Sequence, residues 1–488
     1  MFGFFKRKKK VDPAAVPSGG EPAPDVAQDA PAEEAPGASD GVHMDVPLAG
    51  ARVAVFGAGK SGLSAATWLV REGARVTVAD ESAGQLPDDL ARDAALVGDN
   101  LPEVLSGSDL VILSPGVPHS HPAVAAAEAA GVPVIAEVEL AARHLSAPLI
   151  GITGTNGKST VTAMAGHILE RWKERVFTGG NLGDPLCDAA MEDGWDFVVA
   201  ELSSFQLEGI TSLQPTIAAL LNTSPDHMDR YDKVSDYYAA KFRIFENMTE
   251  GYALLNARDA STPLVLEHYL RGAAPVRFNL PDGDGGDGVG VVDGVISVTT
   301  GGNTHPIVAV SDLSLTGAQN VENVQAAAAI CLLAGCPLPI VSEAAKTFRG
   351  LPHRMQVVGD VDGVTYIDDS KATNPGAVIK ALEGIDAPVT LLLGGRDKGG
   401  DLFSLREHVF MKAEHVVLFG EAANRFQVVL QGHPDLSDAE TLEQAVRVAK
   451  EKTQAGGVVL LSPACASFDA FSSYAERGHA FATYVESL

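Results

Sequence analysis

Cysteine is scarce in this 488-residue chain. There are four, Cys187, Cys331, Cys336 and Cys465, none in a C-x-x-C spacing. That argues against a disulfide framework or a structural zinc site and fits a reducing cytoplasm. Positive charge is also short: 36 Lys and Arg face 63 Asp and Glu, a formal net charge of −27. Such a balance argues against a general nucleic-acid binder, so a polyphosphate would rest on a few placed cations and backbone N–H groups. No apolar run approaches the ~20 residues of a membrane-spanning helix. The apolar opening Met1-Phe-Gly-Phe-Phe5 is short and precedes the basic run Lys6-Arg-Lys-Lys-Lys10, the wrong order for a secretory signal. What is present is a chain too long for one core, which points to about three domains. Its 46% hydrophobic and 20% charged residues are ordinary for a globular protein.

Residues 11–45 are rich in Ala, Pro, Asp and Glu with little to bury, a composition expected to stay disordered. The basic-aromatic tip on that leash could touch anionic lipid or a partner protein. A plain solvated tail is the simpler reading, and no membrane insertion is expected. Beyond the tail, apolar runs alternate with helical patterns, which predicts three successive α/β domains. The expected division is a disordered tail over 1–46, then domains over 47–137, 138–351 and 352–488.

In the first domain, the strand Arg52-Val-Ala-Val-Phe56 leads into Gly57-Ala-Gly59-Lys-Ser-Gly62 and an Ala/Leu-rich helix reaching Glu72. A second strand, Arg75-Val-Thr-Val-Ala79, ends at Asp80. Strand, G-x-G-x-x-G, helix, strand and acid together make the dinucleotide-binding pattern in its proper context. Alone, it reads as an NAD(P) site with Asp80 on the ribose. The embedded Gly59-Lys60-Ser61 imitates an ATP-type phosphate loop, but Ala54 stands where that loop needs its first Gly. Further strands are expected at Leu110-Val-Ile-Leu113 and Val132-Pro-Val-Ile135.

The second domain opens with Pro148-Leu-Ile150, then Gly151-Ile-Thr-Gly-Thr-Asn-Gly-Lys-Ser-Thr160, then a helix from Val161. Helix-initial N–H groups lack intrahelical partners and carry the positive end of the dipole, so such a turn can cradle phosphates. Lys158 would reach the β/γ-phosphates and the Ser159 hydroxyl could ligate Mg²⁺. The strict G-x-x-x-x-G-K-[ST] pattern fails, because Ile152 replaces its first Gly; the loop is a variant. Glu201, just after the apolar run Phe197-Val-Val-Ala200, is placed to hold Mg²⁺ as a Walker-B acid would. The strand Ile217–Leu221 runs into Asn222-Thr-Ser-Pro-Asp-His-Met-Asp-Arg-Tyr231. There His227 could ligate a metal or orient a carboxylate, with a structural role equally open. Lys241, on the helical stretch Asp236–Phe245, reads by composition as a surface lysine. Short Val/Ile runs in the Gly/Asp-rich segment 281–304 suggest peripheral hairpins, followed by a helix over Val321–Ala334.

In the third domain, strands are expected at Thr365-Tyr-Ile-Asp368, Val389-Thr-Leu-Leu-Leu393, His415–Phe419 and Gly457–Leu461. The loop Asp368-Asp-Ser-Lys-Ala-Thr-Asn374 precedes a helix with Pro375 in its first turn, so Lys371 and the hydroxyls face an anion-favouring helix start. Gly394-Gly-Arg-Asp-Lys398 puts Lys398 at the C-terminal end of a buried strand, where ligands of open α/β sheets bind. Ser462-Pro-Ala-Cys-Ala-Ser-Phe-Asp469 is a third loop on the same edge. Cys465 has no evident base, which disfavours a nucleophilic role.

Together these motifs resemble the Mur ligases of peptidoglycan synthesis, from about residue 48 to the C-terminus. Gly154-Thr-Asn-Gly-Lys-Ser-Thr160 marks the wider superfamily, which includes folylpolyglutamate synthases. Glu201-Leu-Ser-Ser-Phe-Gln-Leu207, Asp226-His-Met-Asp-Arg-Tyr231, Asp369-Ser-Lys-Ala-Thr-Asn374 and Leu461-Ser-Pro-Ala-Cys-Ala-Ser467 look like the D-glutamate-adding branch. A folylpolyglutamate synthase should lack the first Gly-rich domain, a dehydrogenase leaves two domains unexplained, and the last two loops argue against a Mur ligase adding L-alanine or a diamino acid.

The resemblance implies a cytoplasmic, monomeric ligase that joins D-glutamate to UDP-N-acetylmuramoyl-L-alanine through an acyl phosphate, converting ATP to ADP and phosphate. It places Gly154, Thr155, Asn156, Gly157, Lys158, Ser159 and Thr160 on the ATP phosphates. Ser159 and Glu201 fall on one Mg²⁺, and His227 with Lys241, the latter carrying CO₂ as a carbamate, on a second. Lys158, His227 and Lys241 are thereby the catalytic candidates. Asn320 and Asn323 fall at the adenine, with Gln319 where the family has His; Arg354 and Asp369 approach the nucleotide. The first domain would bind UDP rather than NAD, through Lys60, Ser61, Asp80, Ser114, Pro115 and Gly116, with Asn181 also at that substrate. Thr373, Lys398, Ser467 and Tyr474 would hold D-glutamate, the cation and hydroxyls suiting its carboxylates.

Overall fold

The apolar runs become strands wherever helices cover both faces. In the computed structural model, β1 (Arg52–Phe56), β2 (Arg75–Ala79), β3 (Ala94–Val97), β4 (Leu110–Leu113) and β5 (Val134–Ala136) form a five-stranded sheet. Its order is 3-2-1-4-5 and every pairing is parallel. The central strand β1 and its neighbour β4 are almost wholly buried, as parallel strands must be when covered on both faces. The structure describes residues 47–81, 85–228, 230–281, 283–315, 317–397 and 402–488. The expected tail over 1–46 and the candidate Lys398 lie outside these.

A nine-stranded sheet follows. Its parallel part comprises β6 (Leu149–Thr153), β7 (Val176–Gly180), β8 (Phe197–Glu201), β9 (Ile217–Leu220), β10 (Tyr252–Asn256) and β11 (Ala274–Leu280). An edge extension adds β12 (Gly288–Val292), β13 (Val295–Thr300) and β14 (Asn303–Ala309), giving the order 14-13-12-11-10-9-6-8-7. The peripheral hairpins expected over 281–304 are these last strands. Their turns, Asp293-Gly294 (φ 51° and 75°) and Gly301-Gly302 (φ 58° and 81°), have positive φ at both central positions, the type I′ geometry that suits strand twist.

The third sheet has six strands, β15 (Gln356–Val361), β16 (Val364–Asp368), β17 (Val389–Gly394), β18 (Ala413–Phe419), β19 (Leu436–Ala439) and β20 (Val458–Ala464), in the order 15-16-20-17-18-19. All pairs are parallel except the β15–β16 hairpin, closed by Asp362-Gly363. Among the described residues, no helix is long and apolar enough to cross a membrane.

The first two sheets and their helices form one compact unit, reaching Ser314 and including Gln319–Phe348. Leu315–Ala318 and Arg349–Leu488 form a second. Within the first unit one apolar cluster runs from Val53 and Leu69 through Leu140 and Phe177 to Leu202 and Leu220. Glu139, wholly buried, pins the two sheets together. Its carboxylate accepts from the hydroxyls of Thr211 and Ser212, from three successive backbone N–H groups over Thr211–Leu213, and from Arg143. Burial would raise its pKa; these donors outweigh it and hold the group at about 2.

Candidate functional site

Open parallel sheets bind ligands beyond the C-terminal strand ends where the strand order reverses, here between β1 and β4. The two loops there touch: Ser114 Oγ donates to the Gly57 carbonyl at 2.9 Å. A Cβ on Gly62 would collide with that same carbonyl oxygen, and one on Gly57 with Ser114, so packing demands both glycines. Gly59 and Gly116 are different, because nothing lies within 4 Å of a Cβ at either. Their bareness leaves room for another molecule's close approach. Asp80 Oδ2 accepts from the Ala58 N–H at 2.7 Å, so this acid holds the loop's backbone. Lys60 opens the helix Lys60–Arg71, with Ser61 half-buried behind it. Lys60 Nζ donates to Gly183 O (2.9 Å) and Asp184 (2.8 Å), which sets it beside the turn that begins at Asn181.

In the second sheet, β6 ends at Thr153 and the helix Lys158–Glu170 begins after Gly157, whose φ of +83° favours glycine. A Cβ there would also collide with the Asn323 side-chain oxygen. Asn323, joined to Asn320 at 3.3 Å, therefore lies against the phosphate-type loop. Asn222 braces the loop from its other flank: its backbone carbonyl accepts from Thr155 N, and its side chain exchanges two bonds with the Asn156 backbone. Lys158 curls back to donate to the carbonyls of Gly154 and Thr155, both at 2.9 Å. Ser159 and Thr160 are buried in the first helical turn.

Glu201 closes β8 and is 2% exposed. One oxygen accepts from Asn181 Nδ2 at 2.7 Å; the other is buried without any hydrogen-bond partner. An unsatisfied buried carboxylate oxygen is costly unless a cation or donor reaches it. The Mg²⁺ expected from the sequence fits that vacancy in bonding.

Lys241 corrects the composition-based expectation of a surface side chain: it is 1% exposed. The helix Val234–Phe242 buries Tyr237, Ala240, Lys241 and Phe242 together. Lys241 Nζ donates to Gly154 O at 2.9 Å and lies 4.3 Å from the Tyr237 ring centroid. Burial, and then the charge of Lys158, push its pKa well below the usual lysine value, against the opposing pull of Asp226 and Glu201. His227 sits at the rim with φ +57°. Its N–H donates to Asp226 at 2.8 Å and its ring meets Phe205 edge-on at 4.9 Å.

Among the described residues, no group of three or more His, Cys, Asp or Glu side chains could hold a metal. A Mg²⁺ bound mostly by phosphate oxygens and water, with one or two protein oxygens, needs no such cage.

The second unit repeats the plan. Loops after β16, β17 and β20, neighbours in the sheet, share its C-terminal edge. Asp369 accepts from Ser462 Oγ at 2.8 Å and Met355 N at 3.3 Å. Burial raises its pKa to about 7, opposed by those bonds and by the charge of Arg354. Thr373 precedes the helix N-cap Asn374, whose side chain accepts from Ala377 N, and Pro375 takes the first helical position. Ser467 is buried. Tyr474 opens the last helix, its carbonyl accepting from Ser370 Oγ at 2.8 Å, with Lys371 Nζ 5.6 Å from its ring centroid.

Cys465 is buried, and its backbone carbonyl serves a residue the local sequence does not mark. That residue is Arg477, which is wholly buried. It donates to Ser370 Oγ, Ser370 O, Cys465 O and Ala466 O, tying two candidate loops together. Burial lowers its pKa to about 10. Within the motif Tyr474-Ala-Glu-Arg-Gly-His479 it looks like one more helix-surface cation.

Gly-rich or hydroxyl-rich loops thus gather at two strand-end edges in one unit and at a third in the other, the places where open α/β sheets bind ligands. Residues 51–136 match the MurD-like N-terminal domain of Mur ligases, 152–331 the Mur ligase middle domain and 353–465 the Mur ligase glutamate ligase domain. The chain belongs to the Mur ligase family. Within that family it is 46% identical to the UDP-N-acetylmuramoylalanine–D-glutamate ligase of Syntrophotalea carbinolica, over 90% of this chain and 98% of that one. It is 42% identical to the enzyme of the same name from Geobacter metallireducens, again over 90% and 98%. Among solved structures it shares its fold with the UDP-N-acetylmuramate-alanine ligase of Thermotoga maritima. That match has 19% identity and a TM-score of 0.58, covering 90% of this chain and 99% of that one.

Proposed function

We propose that this chain joins D-glutamate to UDP-N-acetylmuramoyl-L-alanine at the expense of ATP, in the cytoplasmic synthesis of peptidoglycan precursors. The observation that carries this is its identity of 46% with a D-glutamate ligase across nearly that enzyme's whole length. A carboxylate is a poor electrophile at neutral pH. The L-alanyl carboxylate therefore attacks the γ-phosphorus of ATP, giving an acyl phosphate and ADP. The D-glutamate amine then attacks the acyl carbon and phosphate leaves. The protein's part is positioning and charge neutralisation.

In this reading Gly154–Thr160 bind the phosphates, with Lys158 on the β- and γ-groups, and Asn320 and Asn323 take the adenine. Ser159 and Glu201 would hold Mg²⁺, whose contribution is to neutralise phosphate charge. The depressed pKa of Lys241 favours its free amine, the form that adds CO₂; the resulting carbamate, with His227, would serve a second Mg²⁺. The UDP-linked substrate lies on Lys60, Ser61, Asp80, Ser114, Pro115, Gly116 and Asn181. Thr373, Lys398, Ser467 and Tyr474 hold D-glutamate, while Arg354 and Asp369 serve the nucleotide. The enzyme acts as a monomer.

The test is phosphate release from ATP in the presence of UDP-N-acetylmuramoyl-L-alanine and a panel of amino acids. Release with D-glutamate alone is expected; release with L-alanine or lysine, or none at all, would sink the assignment.

A further inference from the structure

Two loops that the proposed reaction uses, and a helix between them in sequence, converge on one side chain that it does not, Arg230. One face of its guanidinium lies over the Phe205 ring, 3.9 Å from the centroid. Its edge donates to three acceptors: Pro115 O at 3.0 Å, Val117 O at 3.5 Å and Glu208 Oε2 at 3.1 Å. The other oxygen of Glu208 accepts from the Tyr231 hydroxyl. Arg230 thus joins the loop after β4, the helix Ser204–Glu208 that begins three residues after Glu201, and the loop bearing His227. The side chains of Arg230 and Glu208 are 15% and 19% exposed, so solvent screens this pair far less than a surface one.

We propose that Arg230 is a positioning residue for the UDP-linked substrate, setting the Pro115–Gly116 peptide and the His227 loop in register with each other. The proposal rests on the ligase reading above. In a trans peptide the C=O and the next N–H point to opposite sides. With Pro115 O held by Arg230, the Gly116 N–H is turned the other way, at a residue bare of neighbours within 4 Å of a Cβ. A backbone donor on the side away from Arg230, in a loop at a strand end, suits a phosphate or carbonyl oxygen of the substrate.

The same side chain fixes Phe205, against which both His227 and Tyr231 lie, at centroid distances of 4.9 and 6.0 Å. Only a planar, forked cation meets two carbonyls, a carboxylate and a ring face at once. A lysine could pair with Glu208 but would release the Pro115–Gly116 peptide.

The experiment is steady-state kinetics of full-length Arg230→Gln, Arg230→Lys and Glu208→Gln proteins, with each of the three substrates varied in turn. Losing a hydrogen bond to a charged group should raise KM for UDP-N-acetylmuramoyl-L-alanine about tenfold or more in Arg230→Gln. KM for ATP and for D-glutamate should stay within about twofold, since the bonds lost are not theirs. Arg230→Lys should fall between Arg230→Gln and the unaltered protein. Combining Arg230→Gln with Glu208→Gln should add little to either alone, because the two share one interaction.

A merely structural Arg230 would lower the melting temperature and the active fraction while leaving that KM unmoved. This outcome, in whichever variants fold, would overturn the proposal. An unaltered protein that binds UDP-N-acetylmuramoyl-L-alanine in calorimetry but never consumes ATP with D-glutamate would sink the ligase reading instead. Arg230 would then be judged by calorimetric affinity for that compound, with undiminished binding by Arg230→Gln counting against it.

Discussion

The first unit contains two strand–glycine loop–helix arrangements, and they use lysine in opposite ways. Lys60, after Gly57–Gly59, lies at the surface: its side chain is 65% exposed and pairs with an Asp184 that is equally open. A pair of that kind contributes at most about 1 kcal/mol. Lys158, after Gly154–Gly157, is drawn onto its own loop's carbonyls, and Lys241 donates to one of the same oxygens, that of Gly154. Lys158 thus sets a cation beside the phosphate-type turn of a chain whose net charge is −27, while burial and that same charge drive Lys241 toward its neutral amine. The lesson is that anion-binding capacity is set locally. A glycine pattern announces a turn, while the burial of the cations beside it decides whether the turn can stabilise a polyphosphate.

The sharpest way to break that contrast is to neutralise each lysine. Lys158→Met should lower kcat by about 10²–10³, the scale of losing one placed electrostatic group at developing charge. Lys60→Met should move only KM for the UDP-linked substrate, by about fivefold or less. Equal effects in steady-state assays would erase the distinction. Lys241→Ala should also lose most activity and regain part of it when short-chain carboxylic acids are added, as expected if a carbamate is the working form. Unchanged turnover would remove Lys241 from the site.

A smaller effect separates the glycines of the first loop. Gly62→Ala places a methyl against the Gly57 carbonyl and should destabilise by about 1–3 kcal/mol in thermal unfolding. Gly59→Ala should change stability by less than about 1 kcal/mol yet raise KM for the UDP-linked substrate, because that open position is where a ligand must come close.

The smallest expected effect on activity lies in the element that joins the two sheets. Glu137 opens the helix Glu137–Ala142 and is fully buried, with one oxygen accepting from Cys187 N at 2.7 Å and the other unpartnered. Burial raises its pKa from 4.5 to about 7. A raised carboxyl pKa means the folded state holds the proton more tightly. Its contribution to stability is therefore fully present below about pH 4.5 and is lost as pH rises through about 7. Glu137→Gln, which mimics the protonated form, should gain stability relative to the unaltered protein across that window. Denaturant unfolding at pH 5 and pH 8 measures this; an equal difference at both would refute it.

Much of the site could be read locally. Glycine loops before helices, Pro375 at a helix start and the alternating strands all follow from turn chemistry and periodicity. The hairpin at Val361-Asp-Gly-Val364 was equally available, since Asp-Gly between apolar pairs is a strong type I′ signal, and it escaped only because the runs around it are short. The burial of Lys241, Arg230 and Arg477 could not be read locally, and only the family resemblance marked Lys241. Each lies in a polar, helix- or loop-forming stretch whose local pattern is that of a solvated surface.

The sequence by itself therefore determined where phosphate-type turns form, which strands precede them and which family the chain resembles, because those depend on neighbours a few residues apart. Tertiary structure alone decided which charges are buried and what they join. Lys241 meets Gly154 across 87 positions, Arg477 meets Ser370 across 107, and Arg230 meets Pro115 across 115. Desolvation of a cation is a property of everything packed around it, and no local pattern of residue types encodes that.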